Sequence, residues 1–272
     1  MEGRLDRASH ANRSKGRPEL MFVVDATIAG RRSVARGMFV ISLDAPEIAA
    51  AARAGQFVNL GWSPGPLLRR PFSVYRAEGG LVEVVLKEVG AGTTQLLALR
   101  EGDRLSCLGP LGRGFDFAGS PRSVALVSGG LGVAPMPLAA QQAASMGLRV
   151  TWVHGARSAD DLCSEWLGDE VVWATDDGSR GVSGTAVEAT PEADLVLACG
   201  PNRMLAAVAR RWPDAQVAVE TYMGCGTGVC LGCAVPLRSG GYDRACTEGP
   251  VYRAGAVDWE TLPPHLPYAA TA

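Results

Sequence analysis

Four cysteines near the C-terminal end constrain this chain more than any other feature. Cys225, Cys230, Cys233 and Cys246 stand in GCGTGVCLGCAVPLRSGGYDRAC, with the spacing C-x4-C-x2-C-x12-C. Three thiols on one loop and a fourth arriving later suit a plant-type iron–sulfur cluster held by four thiolates. Gly224, Gly226, Gly228 and Gly232 remove Cβ bulk there, so backbone N–H groups can close around a dianionic core. Zinc is the rival, because tetrahedral thiolate coordination serves both metals, although zinc modules usually pair two short knuckles. Disulfides or inert thiols are the third reading.

At 272 residues the chain can hold two domains of ordinary size, each with its own core. Seven cysteines, an odd number, fit a secreted disulfide framework poorly. Cys107, Cys163 and Cys199 lie singly in apolar stretches and are expected to be buried rather than reactive. The net charge of −2 offers no global field for nucleic acid. No apolar run is long enough to span a bilayer. Residues 1–18 carry Arg4, Arg7, Arg13, Lys15 and Arg17 against Glu2 and Asp6, with no apolar stretch. They are expected to be a disordered tail rather than a signal peptide, and the protein is expected to be cytoplasmic.

From Glu19 to Phe117 the pattern is β. Met21–Ile28, Met38–Leu43, Gln56–Leu60, Leu81–Leu86 and Arg104–Leu108 are short runs punctuated by Gly, Pro and Asp. They predict a small antiparallel barrel over residues 19–120, with one hydroxyl-capped helix over Thr94–Leu99. After Pro121 the rhythm changes. Strands over Ser123–Ser128, Arg149–His154, Val171–Thr175, Leu195–Cys199 and Gln216–Val219 alternate with helices over Pro135–Met146, Asp160–Leu167 and Arg203–Trp212. That alternation predicts a doubly wound parallel sheet over 121–219, followed by a cluster-binding segment over 220–272.

Two turns in the second unit suit anions. In VALVSGGLGVAPMPLAAQQA, Gly129, Gly130 and Gly132 follow a strand and precede a helix, where N–H groups and the helix dipole can hold a pyrophosphate. Alone, the motif does not separate this from a tight connection without ligand. Cys199-Gly200-Pro201-Asn202-Arg203-Met204 again ends a strand and opens a helix. In the first unit, Arg70-Pro71-Phe72-Ser73 sets an arginine and a hydroxyl about an apolar ring. That arrangement can take a phosphate and the edge of a flat heterocycle, or simply be a solvated arginine beside a core Phe. Gly90-Ala91-Gly92-Thr93-Thr94 is a further glycine turn entering a helix.

Taken together, RPFS, GAGT, GPLGRGF, SGGLGVAP, CGPNRM and the cysteine loop resemble the ferredoxin-reductase superfamily over residues 20–260. More narrowly, they resemble the electron-transfer subunits of class 1B, NAD-dependent dihydroorotate dehydrogenases. The resemblance implies FAD contacts from Arg70, Pro71, Phe72 and Ser73, from Val85, Leu86 and Lys87, and from Gly92 and Thr93 at the pyrophosphate. It implies that the turn at Gly129, Gly130 and Gly132 and the segment Cys199, Gly200 and Pro201 receive NAD. It also implies that the four cysteines hold a [2Fe–2S] cluster. Lys87 stands where the family commonly has Arg, Arg113 where it has Asn, and Glu248 where it has Asp. The implied activity is an electron relay in pyrimidine (UMP) biosynthesis. A catalytic FMN-containing partner, joined in a heterotetramer, oxidises dihydroorotate, and electrons pass through the cluster and FAD to NAD+.

That division of labour matches an absence. His10, His154 and His265 are the only histidines, and none sits beside a nucleophile in a motif. His154, ending an apolar strand, reads as a packed histidine, and Asp160-Asp161 and Asp176-Asp177 read as caps or loop acids. No acid–base residue is assigned. Arg157-Ser158 offers partners for a 2′-phosphate, whereas the resemblance favours NAD. A hydrogenase-associated or transhydrogenase-type reductase with the same domain order is one alternative. A zinc-stabilised binding module without redox activity is the other.

Overall fold

A computed structural model describes residues 20–165 and 168–264. The expected tail at 1–18, His10 and His265 lie outside the described residues. Six strands close the antiparallel barrel: β1 (Phe22–Ala35), β2 (Met38–Asp44), β3 (Phe57–Gly61), β4 (Arg70–Glu78), β5 (Leu81–Lys87) and β6 (Arg104–Leu111), in the order β1-β2-β5-β4-β3-β6. Ile41, Leu43, Leu60, Val74, Val84 and Leu105 are buried in its core. Two helices bridge the strands, α1 (Pro46–Ala51) and α2 (Ala91–Ala98).

β1 runs past the expected end at Ile28. Register shifts at Ile28/Gly30 and Ser33/Ala35 bend it, so one strand pairs with β6 through its first half and with β2 through its second. Helix α2 begins before the expected Thr94, because Thr93 caps from inside. Its hydroxyl accepts the N–H groups of Val89 (2.9 Å) and Gly90 (3.2 Å).

The second unit is built on β7 (Ser123–Gly129), β8 (Arg149–Ala156), β9 (Glu170–Thr175), β10 (Val182–Ser183), β11 (Leu195–Cys199) and β12 (Gln216–Ala218), all parallel. A hairpin, β13 (Ala234–Pro236) with β14 (Tyr242–Arg244), follows. Then β15 (Val251–Arg253) returns antiparallel to β12, giving the order β10-β9-β8-β7-β11-β12-β15. The sheet is buried on both faces, as its near-continuous apolar strands require. Along β7, Val124 and Leu126 join the core shared with the barrel, while Ala125 and Val127 face the other core. Helices α3 (Met136–Ser145), α4 (Ala186–Ala189) and α5 (Asn202–Arg211) cover the faces, and α3 also touches β4 of the barrel.

The helix expected over Asp160–Leu167 does not form; Trp166 and Leu167 lie outside the described residues. Ala159–Asp161 is a single 3-10 turn, and the chain then docks on the barrel. Arg36 N–H donates to Asp160 O (3.0 Å) and Ser164 N–H to Val34 O (2.7 Å). Glu165 reaches Arg32 and Arg76 on the barrel strands. Backbone groups that a helix would bond internally are used between the two units instead.

Candidate redox centre

The cysteine loop leaves β12, runs over the barrel and returns through β13 and β14. Cys233 and Cys246 are buried at 1% and 2% exposure, Cys225 is half-buried, and Cys230 is exposed. The Cys233 and Cys246 sulfurs lie 3.2 Å apart, close enough for one metal to take both. Backbone donors point at the thiols. Thr227 and Cys230 N–H groups reach Cys225 Sγ at 3.4 Å each, and Gly228 N–H reaches Cys246 Sγ at 3.1 Å. Among the described residues no three Cys, His, Asp or Glu side chains meet around a single-ion position. Soft thiolate donors with N–H groups directed at their sulfurs fit a binuclear iron–sulfur core.

The N–H groups of Cys230 and Thr227 hold the Cys225 thiol down to about 6. Burial and the neighbouring Cys233 push Cys246 up to about 12. A bound metal would deprotonate both.

Two glycines are required by close approach. Gly226 (φ +73°) would place a Cβ 2.1 Å from Asn59 Nδ2, and Gly228 (φ +81°) one 2.8 Å from Thr247 Cγ2. Two residues that sequence reasoning passed over hold this loop. Asn59 on β3, 1% exposed, donates from Nδ2 to Cys225 O at 3.0 Å. Arg244 donates to Gly228 O at 3.1 Å and forms a two-pronged pair with Glu248, Nε to Oε2 at 3.0 Å and a terminal nitrogen to Oε1 at 2.5 Å. That guanidinium, with the Thr247 hydroxyl, holds the Glu248 carboxyl down at about 2. No motif marks Asn59, whose signal is spatial; Arg244 and Glu248 carry an i,i+4 opposite-charge spacing that the sequence does show.

In the barrel, Arg70 lies against the start of α2: a Cβ on Gly92 would stand 3.1 Å from Arg70 Nε. RPFS and GAGT are therefore neighbours, and the first N–H groups of α2, which no helical carbonyl can accept, open beside the guanidinium. The Thr93 hydroxyl is spent on its own turn. Phe72 is half-buried against the core, Pro71 pairs with Asn59, and Ser73 pairs with Phe57. Val85 and Leu86 are buried at 4% and 2%, so their side chains belong to the core and only their backbone remains for a ligand. Lys87, half-buried, is held below its ordinary range by that burial.

In the sheet, a 3-10 turn (Gly130–Val133) separates β7 from α3. A Cβ on Gly132 would lie 2.0 Å from Cys199 O, and one on Gly129 2.7 Å from Met204 Sδ. The turn and the segment Cys199-Gly200-Pro201 are thus packed together, and packing alone demands those glycines. Gly130 (φ +54°) faces open space. Glu220, two residues past β12, has its carboxyl raised by burial, and its backbone is clamped by Asn202.

His154 is fully buried. Its Nε2 accepts Cys163 N–H (3.2 Å) and its Nδ1 meets Ser128 Oγ (2.8 Å), which also takes Trp152 Nε1–H (2.9 Å). Burial lowers its pKa to about 4, so the ring is neutral and structural. Cys107, pushed up to about 12 by burial, and Cys163 and Cys199, raised by the same cause, are inert thiols. Among the described residues no helix is long and apolar enough to cross a membrane.

An antiparallel barrel, a parallel α/β sheet and a four-thiol loop define a ferredoxin-reductase-type, iron–sulfur oxidoreductase component. Solved structures agree. The chain is similar to one from an NADH-dependent reduced ferredoxin-NADP oxidoreductase studied for electron bifurcation (TM-score 0.77, 30% identity, 87% of this chain and 91% of that chain). Phthalate dioxygenase reductase shares the fold (TM-score 0.57, 18% identity, 79% and 87% covered). The family model for the iron-sulfur cluster binding domain of dihydroorotate dehydrogenase B matches residues 220–258.

The dihydroorotate dehydrogenase B (NAD(+)) electron transfer subunit of Desulforamulus reducens is 36% identical over 88% of this chain and 99% of its own length. Its counterpart in Bacillus caldolyticus is 35% identical over 85% and 96%. The chain belongs to the family of dihydroorotate dehydrogenase B electron transfer subunits.

Proposed function

We propose that this protein carries electrons between a dihydroorotate-oxidising, FMN-containing partner and NAD+, in pyrimidine biosynthesis in the cytoplasm. When bound, the [2Fe–2S] cluster passes single electrons and FAD converts them to hydride for the nicotinamide. Cys225, Cys230, Cys233 and Cys246 hold the cluster. Arg70, Pro71, Phe72, Ser73, Lys87 and the α2 N-terminus, with the backbone of Val85 and Leu86, hold FAD. Gly129, Gly130, Gly132, Cys199, Gly200 and Pro201 shape the NAD site. One observation carries the reading: Asn59 pairs with Pro71 of the flavin strand and hydrogen-bonds the carbonyl of the first cluster cysteine. The two redox sites therefore share one strand pair, as a relay requires.

The partner is proposed to cover the loop. Val229 (81% exposed), Leu231 and Tyr222 present apolar surface around exposed Cys230, and Leu231 holds a left-handed backbone (φ +58°). Met223, next in sequence to Tyr222, is partly buried and packs against the second core instead. Such a face suits the core of a hetero-oligomer interface.

Co-expression with a catalytic dihydroorotate dehydrogenase subunit tests the reading. The complex should catalyse dihydroorotate:NAD+ oxidoreduction, while the isolated chain keeps only NADH-dependent reduction of an artificial acceptor. Dihydroorotate oxidation by this chain alone would overturn it. The likeness to the NADH-dependent ferredoxin-NADP oxidoreductase supports a second reading, a reductase component of such a complex. Failure with the dihydroorotate partner alongside ferredoxin-dependent activity would favour that reading.

A further inference from the structure

In the relay proposed above, flavin and nicotinamide fall on different units. Hydride transfer then depends on how the barrel and the sheet are held against each other. Units joined by modest contacts move relative to one another by default, and a misplacement of about 1 Å can cost about a hundredfold in rate. One side chain of the sheet unit, Glu165, is built into the barrel wall.

Arg32 of β1 divides its guanidinium between two carboxylates. Nε and one terminal nitrogen donate to Glu165, the latter at 2.9 Å, while both terminal nitrogens donate to Glu83 of β5 at 2.6 and 2.7 Å. Arg76 of β4 stands 3.2 Å from Glu165 and 3.9 Å from Glu83. The Tyr75 hydroxyl donates to Glu165 Oε2 at 3.3 Å, and the Ser42 hydroxyl to Glu83 Oε1 at 2.9 Å. Two arginines thus balance two glutamates, and none of the four side chains is more than 34% exposed. Forked pairing of this kind fixes orientation as well as charge.

Both sides of this clasp lead to a cofactor motif. Arg76 and Glu83 pair across β4 and β5, the strands that carry Arg70–Ser73 and Val85–Lys87. On the other side, Cys163 Sγ lies 3.6 Å from the Tyr75 hydroxyl, and Cys163 N–H donates to His154 Nε2. His154 Nδ1 meets Ser128, whose neighbour Gly129 opens the dinucleotide turn. A continuous line of contacts therefore joins the flavin strands to the glycine turn.

We propose that Glu165 is a positioning residue for hydride transfer. By fastening the segment after β8 to Arg32 and Arg76, it holds the nicotinamide site in register with the flavin strands. Without its carboxylate, two arginines face Glu83 alone, and the segment loses its side-chain hold on β1 and β4. The backbone bonds at Arg36 and Ser164 remain, so the units stay joined but are less firmly set. The assignment rests on the flavin and dinucleotide reading above and deepens it.

The test uses the full chain loaded with FAD and cluster, as wild type, Glu165→Gln, Glu165→Asp and Glu83→Gln. Stopped flow reads the limiting rate of flavin reduction by NADH and the long-wavelength charge-transfer absorbance of nicotinamide on flavin. Calorimetry reads binding of 5′-ADP, a fragment that engages the sheet unit alone. Glu165→Gln should lower the limiting rate by about tenfold or more and weaken the absorbance, with 5′-ADP affinity within about twofold of wild type. Glu165→Asp keeps the charge at shorter reach and should recover part of the rate. Glu83→Gln disturbs the barrel half of the same cluster without touching the sheet unit, so its rate should stay within about threefold of wild type. An unchanged rate and absorbance in Glu165→Gln, an equal slowing in Glu83→Gln, or 5′-ADP affinity that falls along with the rate would overturn the assignment alone. Loss of FAD from both Glu165 variants would do the same, making the clasp a folding contact. Failure of the wild-type flavin to accept hydride from NADH would overturn the reading on which the assignment rests.

Discussion

Asn59 Nδ2 donates to the carbonyl of Cys225 at 3.0 Å, from a side chain that is 1% exposed. The same residue pairs with Pro71 on β4 and with Leu108 on β6, so the first cluster ligand is fastened to the middle of the barrel wall. Asn59→Leu keeps the branched shape and removes the donor, leaving the Cys225 carbonyl without its partner. The loss is expected to be about 1–2 kcal/mol. Iron release to a chelator should accelerate about five- to thirtyfold, with FAD content unchanged. Release at the wild-type rate would show that the contact does not hold the loop.

Cys230 is the exposed ligand, and Cys230→Ser replaces a soft thiolate with a hydroxyl poorly matched to iron–sulfide coordination. Iron and acid-labile sulfide in the purified variant should fall well below wild type, and the visible absorption of the cluster should fade. Full content of both with an unchanged spectrum would refute the ligand set.

Arg70 stands over the N-terminus of α2, where the developing site is most positive. Arg70→Ala should weaken FAD retention by about 2 kcal/mol, typical of a lost charge-assisted hydrogen bond. The cluster should survive, because the variant touches none of its loop. Flavin release measured by fluorescence after dilution decides this, and equal affinity would remove Arg70 from the site.

His154 makes stability depend on pH. Its folded pKa of about 4 lies below the ordinary 6.5, so the unfolded chain binds the proton more readily. Stability from this group is complete above about 6.5 and is lost as pH falls toward 4, by about 1.4 kcal/mol per unit at most. Thermal unfolding of wild type should therefore drop across that interval. His154→Gln, less stable throughout, should show a flatter dependence. Parallel pH curves for the two proteins would contradict a neutral buried imidazole.

Local pattern made the barrel, the parallel sheet and the cysteine loop legible. Alternating and continuous apolar runs mark strands whichever neighbours they meet. The failures come from contacts distant in sequence. Asp160–Leu167 has helical composition, but its N–H and carbonyl groups find Val34 and Arg36 on the barrel. Asn59 looks like any strand asparagine until the loop, more than 160 positions later, lands on it. Val85 and Leu86 fall in the flavin motif, yet their burial assigns the side chains to the core. Gly129 and Gly132 read as phosphate-turn glycines, and the fold shows that Met204 and Cys199 exclude any side chain there in any case.

The return of β15 to the edge of the sheet has one more consequence. Ala218 pairs with Val251, and Val219 N–H donates to Pro250 O at 2.9 Å, so the cysteine-bearing stretch leaves and rejoins the sheet at the same point. Strand pairing thus closes the ring independently of the four thiols, so the entropy of bringing the ends together does not fall on metal binding alone. A short linker joining residue 219 to residue 250 would excise the metal module while leaving the nucleotide-binding framework whole.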